Sequence, residues 1–236
     1  MVGLVTHIVV RCAGDAQRTD SATGESWLAA ARRLASPAEP AADDLSGDDK
    51  VFVVEPDLRI VLRPMTYGDL PDVVRWRQAE HVQRWFGGRP SPQEVIDRYR
   101  PRIDGDQPTR MSVVEANGRS IGFVQDYLIE DHPEYAALTP DPEAIGGDYL
   151  IGDSNWIGRG IGTRMMWAWL IGLSAEYPDG RTVFVAPDHR NRASLRMLAK
   201  AGFTPGLWFD EPQRDGTTAT LIGCSLDLDV VIGTSG

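Results

Sequence analysis

Apolar and polar positions alternate along much of the chain after residue 50. The segment LRIVLRP (58–64) alternates as a half-buried strand does and ends at a proline. Two more alternating runs flank Asn117-Gly118, a residue pair that is typical of a two-residue hairpin turn. Further apolar runs predict strands at 146–152, 181–186, 206–210 and 218–226.

Helical periodicity occurs in four segments. Apolar residues recur three and four positions apart in 69–80, 91–99, 161–174 and 191–202. Ser91, Pro92 and Glu94 form the pattern of a capping box with proline at the first helical position. The order is one strand, two helices, antiparallel strands, a βαβα unit and a final hairpin. This order predicts an α+β fold with a mixed central sheet flanked by helices.

The first 50 residues differ from the rest in composition. Residues 36–50 (SPAEPAADDLSGDDK) are mostly Pro, Ala, Asp and Ser, and they offer almost nothing to bury. We therefore predict a poorly ordered extension over 1–50, in which only 26–35 has the pattern of a short helix. A single folded domain is predicted over 51–236.

Charge and composition narrow the classes of partner. The 236 residues carry a formal net charge of −10, which disfavours nucleic acid and anionic membranes and suits a cationic small-molecule ligand. Cys12 and Cys224 are far apart and not in a metal-binding spacing, so we expect free thiols in a reducing compartment and no metal site. No apolar run approaches the ~18 residues of a membrane span. We expect a cytoplasmic protein, as a monomer or a homodimer.

Three glycines stand directly in front of the helix predicted over 161–174. A helix N-terminus carries unpaired N–H groups and about half a positive charge, and Gly158, Gly160 and Gly162 would let a phosphate approach these groups closely. The alternative is a plain tight turn. A Walker loop is excluded because no lysine follows Gly162, and a Rossmann fingerprint is excluded because the cluster comes after an antiparallel meander.

Two motifs together, IGRGIGTRMM (157–166) and PDHRNRASLRMLAKAGF (187–203), resemble the core of the Gcn5-related N-acetyltransferases. The resemblance implies that fold over roughly 57–228, with acetyl-CoA as co-substrate. It implies that the glycine loop binds the pyrophosphate and that Asn191 helps to hold the pantetheine arm. The predicted co-substrate residues are Leu150, Ile151, Ile157, Gly158, Arg159, Gly160, Ile161, Gly162, Thr163, Asn191 and Ser194. The family often has a tyrosine as general acid where this chain has Leu198, so the proton donor to the leaving thiolate is unassigned.

An acidic run precedes the glycine loop. Between Asp126 and Asp153 there are eight acids and no Lys or Arg, which is typical either of a solvated loop or of an acidic mouth for a cationic amine. The amine must lose a proton before it attacks the thioester, so a base is needed within reach. Asp148 lies two residues before Leu150, and therefore on the same face of the strand. We predict that Asp148 is the general base.

A closer resemblance is to the aminoglycoside 6'-N-acetyltransferases of the broad-spectrum resistance type. It is carried by HVQRWFGG (81–88), NGRSIGFVQDY (117–127) and DPEAIGGDYLIG (141–152). The resemblance implies acetyl transfer to the 6'-amine of an aminoglycoside, with the catalytic aspartate at Asp148. The predicted substrate residues are Trp85, Phe86, Tyr99, Gln125, Asp126, Tyr127, Asp141 and Asp188.

Two alternatives stay open. VAPDHRN (185–191) and the N-terminal extension resemble siderophore-biosynthesis acyltransferases, which implies acylation of a siderophore precursor. Those enzymes usually carry a histidine where this chain has Asp148, and His132 is the only histidine that we expect nearby. The other alternative is a non-catalytic module that binds CoA as a sensor, because Leu198 and Ala186 stand where functional residues are expected.

Overall fold

The computed structural model describes residues 8–11, 58–136, 139, 141–213 and 216–232. The strands and helices are, in chain order, β1 (Ile8–Arg11), β2 (Arg59–Pro64), α1 (Leu70–Arg77), α2 (Glu80–Gln83), α3 (Pro92–Ile103), β3 (Arg110–Ala116), β4 (Arg119–Leu128), α4 (Pro133–Ala136), β5 (Ile145–Ile151), α5 (Ile161–Glu176), β6 (Thr182–Val185), α6 (Arg192–Ala201), β7 (Thr204–Pro212), β8 (Thr218–Asp227) and α7 (Leu228–Ile232). Single turns of 3-10 helix lie at Tyr67–Asp69, Ile129–Asp131 and Ser154–Trp156. Every strand and helix predicted after residue 57 is present, close to its predicted bounds.

The eight strands form one mixed sheet in the order β1-β2-β3-β4-β5-β6-β8-β7. Neighbouring strands are antiparallel except β5 and β6, which are parallel. Within the described part of the chain, β5 and β6 pair only at Ile145↔Val183 and Gly146↔Phe184. The rest of β5, Gly147–Ile151, has no partner strand on that edge among the residues that the structure describes. The predicted mixed sheet is confirmed, and it contains an internal gap.

The N-terminal region contributes one strand to this sheet. The four residues of β1 pair with β2 from Ile8↔Leu62 to Arg11↔Arg59. The prediction of a loosely attached extension is therefore wrong for these four residues, because their pairing partner lies about 50 positions away in sequence and leaves no local pattern. The helix pattern at 26–35 and the predicted boundary at residue 50 lie outside the described residues.

Local sequence patterns determine one hairpin turn and one helix N-terminus as expected. Asn117 and Gly118 both have positive φ, 50° and 77°, as a two-residue hairpin turn between β3 and β4 requires. At the start of α3, Ser91 Oγ accepts a hydrogen bond from the Glu94 amide at 3.2 Å, and the Glu94 carboxylate accepts one from the Ser91 amide at 2.7 Å. The predicted hairpin and capping box are therefore confirmed.

Strand alternation sends apolar side chains to both faces of the sheet, and helices cover each face. Phe123 of β4 and Leu150 of β5 pack with α1 and α3 on one face, which we call the α1/α3 face. Val124 and Ile145 pack on the opposite face with α5, which we call the α5 face. The two faces form separate apolar cores, so each position on β4 or β5 belongs to one core or the other.

Asp126 ties the β3–β4 hairpin to α5. It is fully buried on the α5 face, where its carboxylate accepts hydrogen bonds from Arg110 Nε at 2.8 Å, Trp169 Nε1 at 3.0 Å and the Tyr177 hydroxyl at 2.9 Å. Burial alone would lower the pKa of Arg110, but the charge of Asp126 and its hydrogen bonds raise it above its usual value. The ion pair is thus structural, with every partner supplied by the fold.

We predict that Asp126→Asn lowers the free energy of unfolding by about 3 kcal/mol, because a neutral amide cannot accept all the hydrogen bonds that Arg110, Trp169 and Tyr177 donate to this buried carboxylate. Urea denaturation measures this change. Asp131→Asn is the matched control, since Asp131 is exposed, and it should change the free energy by less than about 0.5 kcal/mol. Equal effects of the two variants would contradict a structural role for Asp126.

Candidate active site

A cavity of about 620 Å³ opens where β5 and β6 separate. Three parts of the chain line it: α2 with the turn that follows it, the end of β5 with the loop into α5, and the N-terminal half of α5 together with one face of α6. The lining residues are His81, Val82, Trp85, Phe86, Tyr149, Leu150, Ile151, Trp156, Ile157, Gly158, Arg159, Gly160, Ile161, Gly162, Thr163, Arg164, Met165, Trp167, Asn191, Ala193, Ser194, Arg196, Met197 and Lys200.

The glycine loop has the backbone that its sequence requires. Gly158 and Gly160 have φ of 76° and 74°, in the left-handed region that favours glycine, and Gly160 is the N-cap of α5. The first amide N–H groups of a helix have no intrahelical partner, and those of α5 belong to residues that line the cavity. At Gly162 a Cβ atom would lie 2.7 Å from Met197 Sδ, so this glycine lets α5 and α6 approach closely.

The charge of the cavity fits an anionic ligand. Among the described residues that line it there is no Asp or Glu, whereas Arg159, Arg164, Arg196 and Lys200 all contribute. Cationic side chains and a helix N-terminus together favour phosphate groups. The acidic net charge of the whole chain therefore does not describe this site.

The structure brings every predicted co-substrate residue to this one cavity, from Leu150 on β5 to Ser194 on α6. Asn191 is the N-cap of α6, and its Oδ1 accepts a hydrogen bond from the Ser194 amide at 3.1 Å. Its side-chain oxygen therefore already accepts one hydrogen bond, and its side-chain NH₂ group can donate to a ligand. The role of each residue toward acetyl-CoA stays a prediction.

Tyr149 and Ser194 link β5 to α6 across the cavity. The Tyr149 hydroxyl and Ser194 Oγ are 2.5 Å apart, and burial raises the pKa of Tyr149 above its ordinary value. Leu198, one turn further along α6, is buried in the core. The aromatic hydroxyl in this cavity therefore comes from β5 and not from the position on α6 where the family often places a tyrosine.

His81 also lines the cavity, although it is not among the residues predicted from the sequence. Its Nε2 lies 2.9 Å from the carbonyl oxygen of Ile151, and both residues line the cavity. His132, the histidine predicted near the site, instead packs against the Tyr127 ring at a centroid distance of 4.6 Å. The position of His81 one helical turn before Trp85 could have indicated a shared face.

Asp148 lies on the α1/α3 face of β5, directly opposite Gln125 of β4. Gln125 Nε2 donates a hydrogen bond to Asp148 Oδ2 at 2.5 Å, and Gln125 Oε1 accepts one from Arg102 Nη1 at 2.5 Å. Asp148 is half-buried, and it lies two residues, or about 7 Å along the strand, from Leu150 in the cavity wall. Gln125 is buried and bonded at both ends, so the prediction that it contacts substrate is wrong.

Two of the four predicted substrate aromatics line the cavity. Trp85 and Phe86 follow α2 and form part of its wall. Tyr99 is only 2% exposed, and its ring packs edge-on against Phe123 at a centroid distance of 5.4 Å. The prediction for Tyr99 is therefore wrong, because this residue falls on the apolar face of α3 together with Val95.

The described acids do not form an acidic mouth. Alternation along paired strands places Asp126 on the α5 face and Asp148 on the opposite one, so the substrate role predicted for Asp126 is wrong. Asp188 pairs with Arg190 at 2.7 Å, which lowers the pKa of Asp188. Tyr127, Asp141 and Asp188 are absent from the cavity wall among the described residues, so the structure does not bring them to the site.

Comparison with known proteins agrees with this geometry. A family model described as an acetyltransferase (GNAT) domain matches residues 66–210, more than half of the chain. The chain belongs to this family. It is therefore an N-acetyltransferase that uses acetyl-CoA, and the resemblance to the Gcn5-related N-acetyltransferases is confirmed.

Two curated relatives are both named aminoglycoside N(6')-acetyltransferase type 1, one from Klebsiella pneumoniae and one from Serratia marcescens. Each is 28% identical over 165 residues, which cover 68% of this chain and 77% of the relative. These relatives support the closer resemblance to the aminoglycoside 6'-acetyltransferases.

Solved structures show the same fold. Aminoglycoside acetyltransferase AAC(6')-Ib in complex with coenzyme A matches with a TM-score of 0.64 and 25% identity, covering 75% of this chain and 99% of that one. Spermidine N-acetyltransferase from Vibrio cholerae, in complex with CoA and spermine, matches with a TM-score of 0.60 and 16% identity, covering 74% and 98%. At that identity the second match is evidence for the fold alone.

Of the helices in the described ranges, none is long and apolar enough to cross a membrane.

We predict that Gly160→Val weakens acetyl-CoA binding by about 10- to 100-fold, because a branched residue at this positive φ displaces N–H groups that would bind phosphate. Isothermal titration calorimetry measures the affinity. Gly105→Val is the matched control, since Gly105 also has a positive φ (79°) and lies in the turn after α3, away from the cavity. Unchanged affinity in a folded Gly160→Val protein would contradict the role of the loop.

Proposed function

We propose that this N-acetyltransferase acetylates the 6'-amine of an aminoglycoside, with Asp148 as the general base. The observation that carries the proposal is the position of Asp148. Its carboxylate lies on the same strand face as Leu150, which is about 7 Å further along the strand and lines the cavity. That cavity fits a polyphosphate and contains no acid among its described lining residues. The proposed base, Asp148, and the co-substrate cavity are thus neighbours along one strand.

Different groups of the protein have different proposed roles in the reaction. Bound acetyl-CoA supplies the thioester carbonyl that the amine attacks. Asp148 removes the proton that the attacking amine must lose, using Oδ1, because Oδ2 is bonded to Gln125. Backbone N–H groups on the open edge of β5 stabilise the developing oxyanion, since this edge has no strand partner after Gly146 within the described residues.

Tyr149 is suited to hydrogen bonding and not to proton donation. Burial raises the pKa of Tyr149 above its ordinary value, which makes its hydroxyl a weaker acid. A hydrogen bond from the tyrosine would still stabilise the sulfur. The proton that the thiolate finally takes then comes from elsewhere, such as solvent.

The finer assignment to aminoglycosides is supported by the relatives. Both curated relatives are named aminoglycoside N(6')-acetyltransferases. The indole of Trp85 and the ring of Phe86 offer flat apolar walls beside the cavity, which suit the carbon faces of sugar rings.

One observation favours a second candidate, a siderophore precursor that carries a carboxylate beside its amine. The guanidinium carbons of Arg98 and Arg102 lie 6.0 and 5.5 Å from the centroid of the Tyr99 ring, on the α1/α3 face that also holds Asp148. Arg77 is buried beside them, and this burial lowers its pKa. A cationic cluster of this kind would attract an anionic group of the acceptor.

We predict that Asp148→Asn lowers kcat by about 10²- to 10⁴-fold, because the amide keeps the shape of the side chain but cannot accept the proton. Steady-state kinetics measure kcat, and calorimetry should show unchanged acetyl-CoA affinity because the glycine loop is untouched. Asp97→Asn, at an exposed acid on α3, is the control and should keep normal kinetics. A near-normal kcat with only a raised KM in Asp148→Asn would make this residue a binding group.

A panel of acceptors separates the candidate functions. We predict that kanamycin and ribostamycin release thiol from acetyl-CoA with a higher kcat/KM than spermidine or ornithine. Thiol release is followed with a chromogenic disulfide. A preference for ornithine would support the second candidate, whereas binding of CoA without thiol release from any amine would support the sensor hypothesis.

A further inference from the structure

A chain of hydrogen bonds ends on the proposed base. Arg102 Nη1 donates to Gln125 Oε1 at 2.5 Å, and Gln125 Nε2 donates to Asp148 Oδ2 at 2.5 Å. The three residues come from three elements, α3, β4 and β5, and Gln125 is only 5% exposed. The link between Gln125 and Asp148 is built into the sheet, because these residues are direct partners in the β4–β5 register.

The chemistry of the three groups fixes the direction of these two hydrogen bonds. A guanidinium only donates hydrogen bonds, so it fixes the carbonyl end of the Gln125 amide towards Arg102. The NH₂ end must then point at Asp148, where an oxygen that carries no proton is the better acceptor. Oδ2 is therefore held as an acceptor, and a proton from the substrate amine is directed to Oδ1.

The two supporting residues are themselves held in place. Arg102 Nε donates to Gln107 Oε1 at 3.2 Å, and its guanidinium lies over the Tyr99 ring. Gln125 is enclosed between the strands and α3 on the α1/α3 face. The orientation of the Asp148 carboxylate is thus set before any substrate arrives.

We infer that Gln125 and Arg102 are positioning residues that fix the orientation of the Asp148 carboxylate. This inference rests on the proposed role of Asp148 as the base. It assigns to Gln125 a task different from substrate contact, and it explains the burial of an amide so close to the cavity. The charged and titratable groups near Asp148 in the described residues are Arg77 of α1, Arg98, Tyr99 and Arg102 of α3, Tyr149 of β5 and, towards the end of that strand, His81 of α2.

Two variants test the two hydrogen bonds separately. Gln125→Glu keeps an acceptor for Arg102 but replaces the donor to Asp148 by a second carboxylate oxygen, whereas Arg102→Met removes the cationic end. We expect each variant to lower kcat by about 10- to 100-fold with KM for acetyl-CoA unchanged. The acidic limb of the kcat profile should also shift, and most in Gln125→Glu, because a second carboxylate oxygen then faces Asp148.

Arg100→Met is the matched control, because Arg100 lies on the same helix, is exposed and contacts Asp104 and the Tyr67 ring. It should keep the normal pH profile. Arg102→Lys restores a donor to Gln125, so it should recover part of kcat and move the acidic limb back. Melting temperatures are recorded for all variants, and Arg102→Met, at a partly exposed residue, keeps the test valid if the buried Gln125→Glu protein unfolds.

The outcomes separate this inference from the proposed function. If Asp148→Asn loses kcat while Arg102→Met and folded Gln125→Glu keep a normal kcat and pH profile, the positioning role is wrong and the base assignment stands. If Asp148→Asn keeps its kcat, the base assignment is wrong and the inference fails with it. Loss of kcat in all three variants, a shifted limb in Arg102→Met and partial recovery in Arg102→Lys would support both.

Discussion

The site depends on the short pairing between β5 and β6. Two parallel strands that stay together for only two residue pairs leave the rest of β5 with an open backbone edge. The cavity forms in the gap, the glycine loop continues from the end of β5, and α6 lines the far side. Longer pairing would fill this gap with backbone hydrogen bonds and remove the groups that the proposed oxyanion site needs.

Features encoded by neighbouring residues could be predicted from the sequence. The Asn117-Gly118 turn, the Ser91 capping box and the glycine loop each depend on a few adjacent positions, and the structure contains all three. The placement of Asp148 beside Leu150 also follows from local alternation. The co-substrate residues predicted from the motif and the resemblance all line one cavity, and their individual roles stay predictions.

Features that depend on distant pairing could not be predicted. Whether Asp126 faces α5 or the cavity is decided by how β4 registers against its neighbours and by Arg110, Trp169 and Tyr177, and no local pattern reports these. Tyr99 has the same difficulty, because an aromatic residue on an amphipathic helix can serve a core or a site equally well. The net charge of the chain does not predict the charge of this site, because it sums over all residues, whereas the cavity wall is cationic.

The hydrogen bond between His81 and Ile151 has a consequence for how the protein avoids aggregation. A gap inside a sheet creates an extra strand edge, and exposed edges are templates for pairing with strands of other molecules. Here the imidazole already engages one backbone carbonyl of that edge. A foreign strand could extend β5 at this point only by first breaking that bond and moving α2, so the edge is shielded from intermolecular β-pairing at its exposed end.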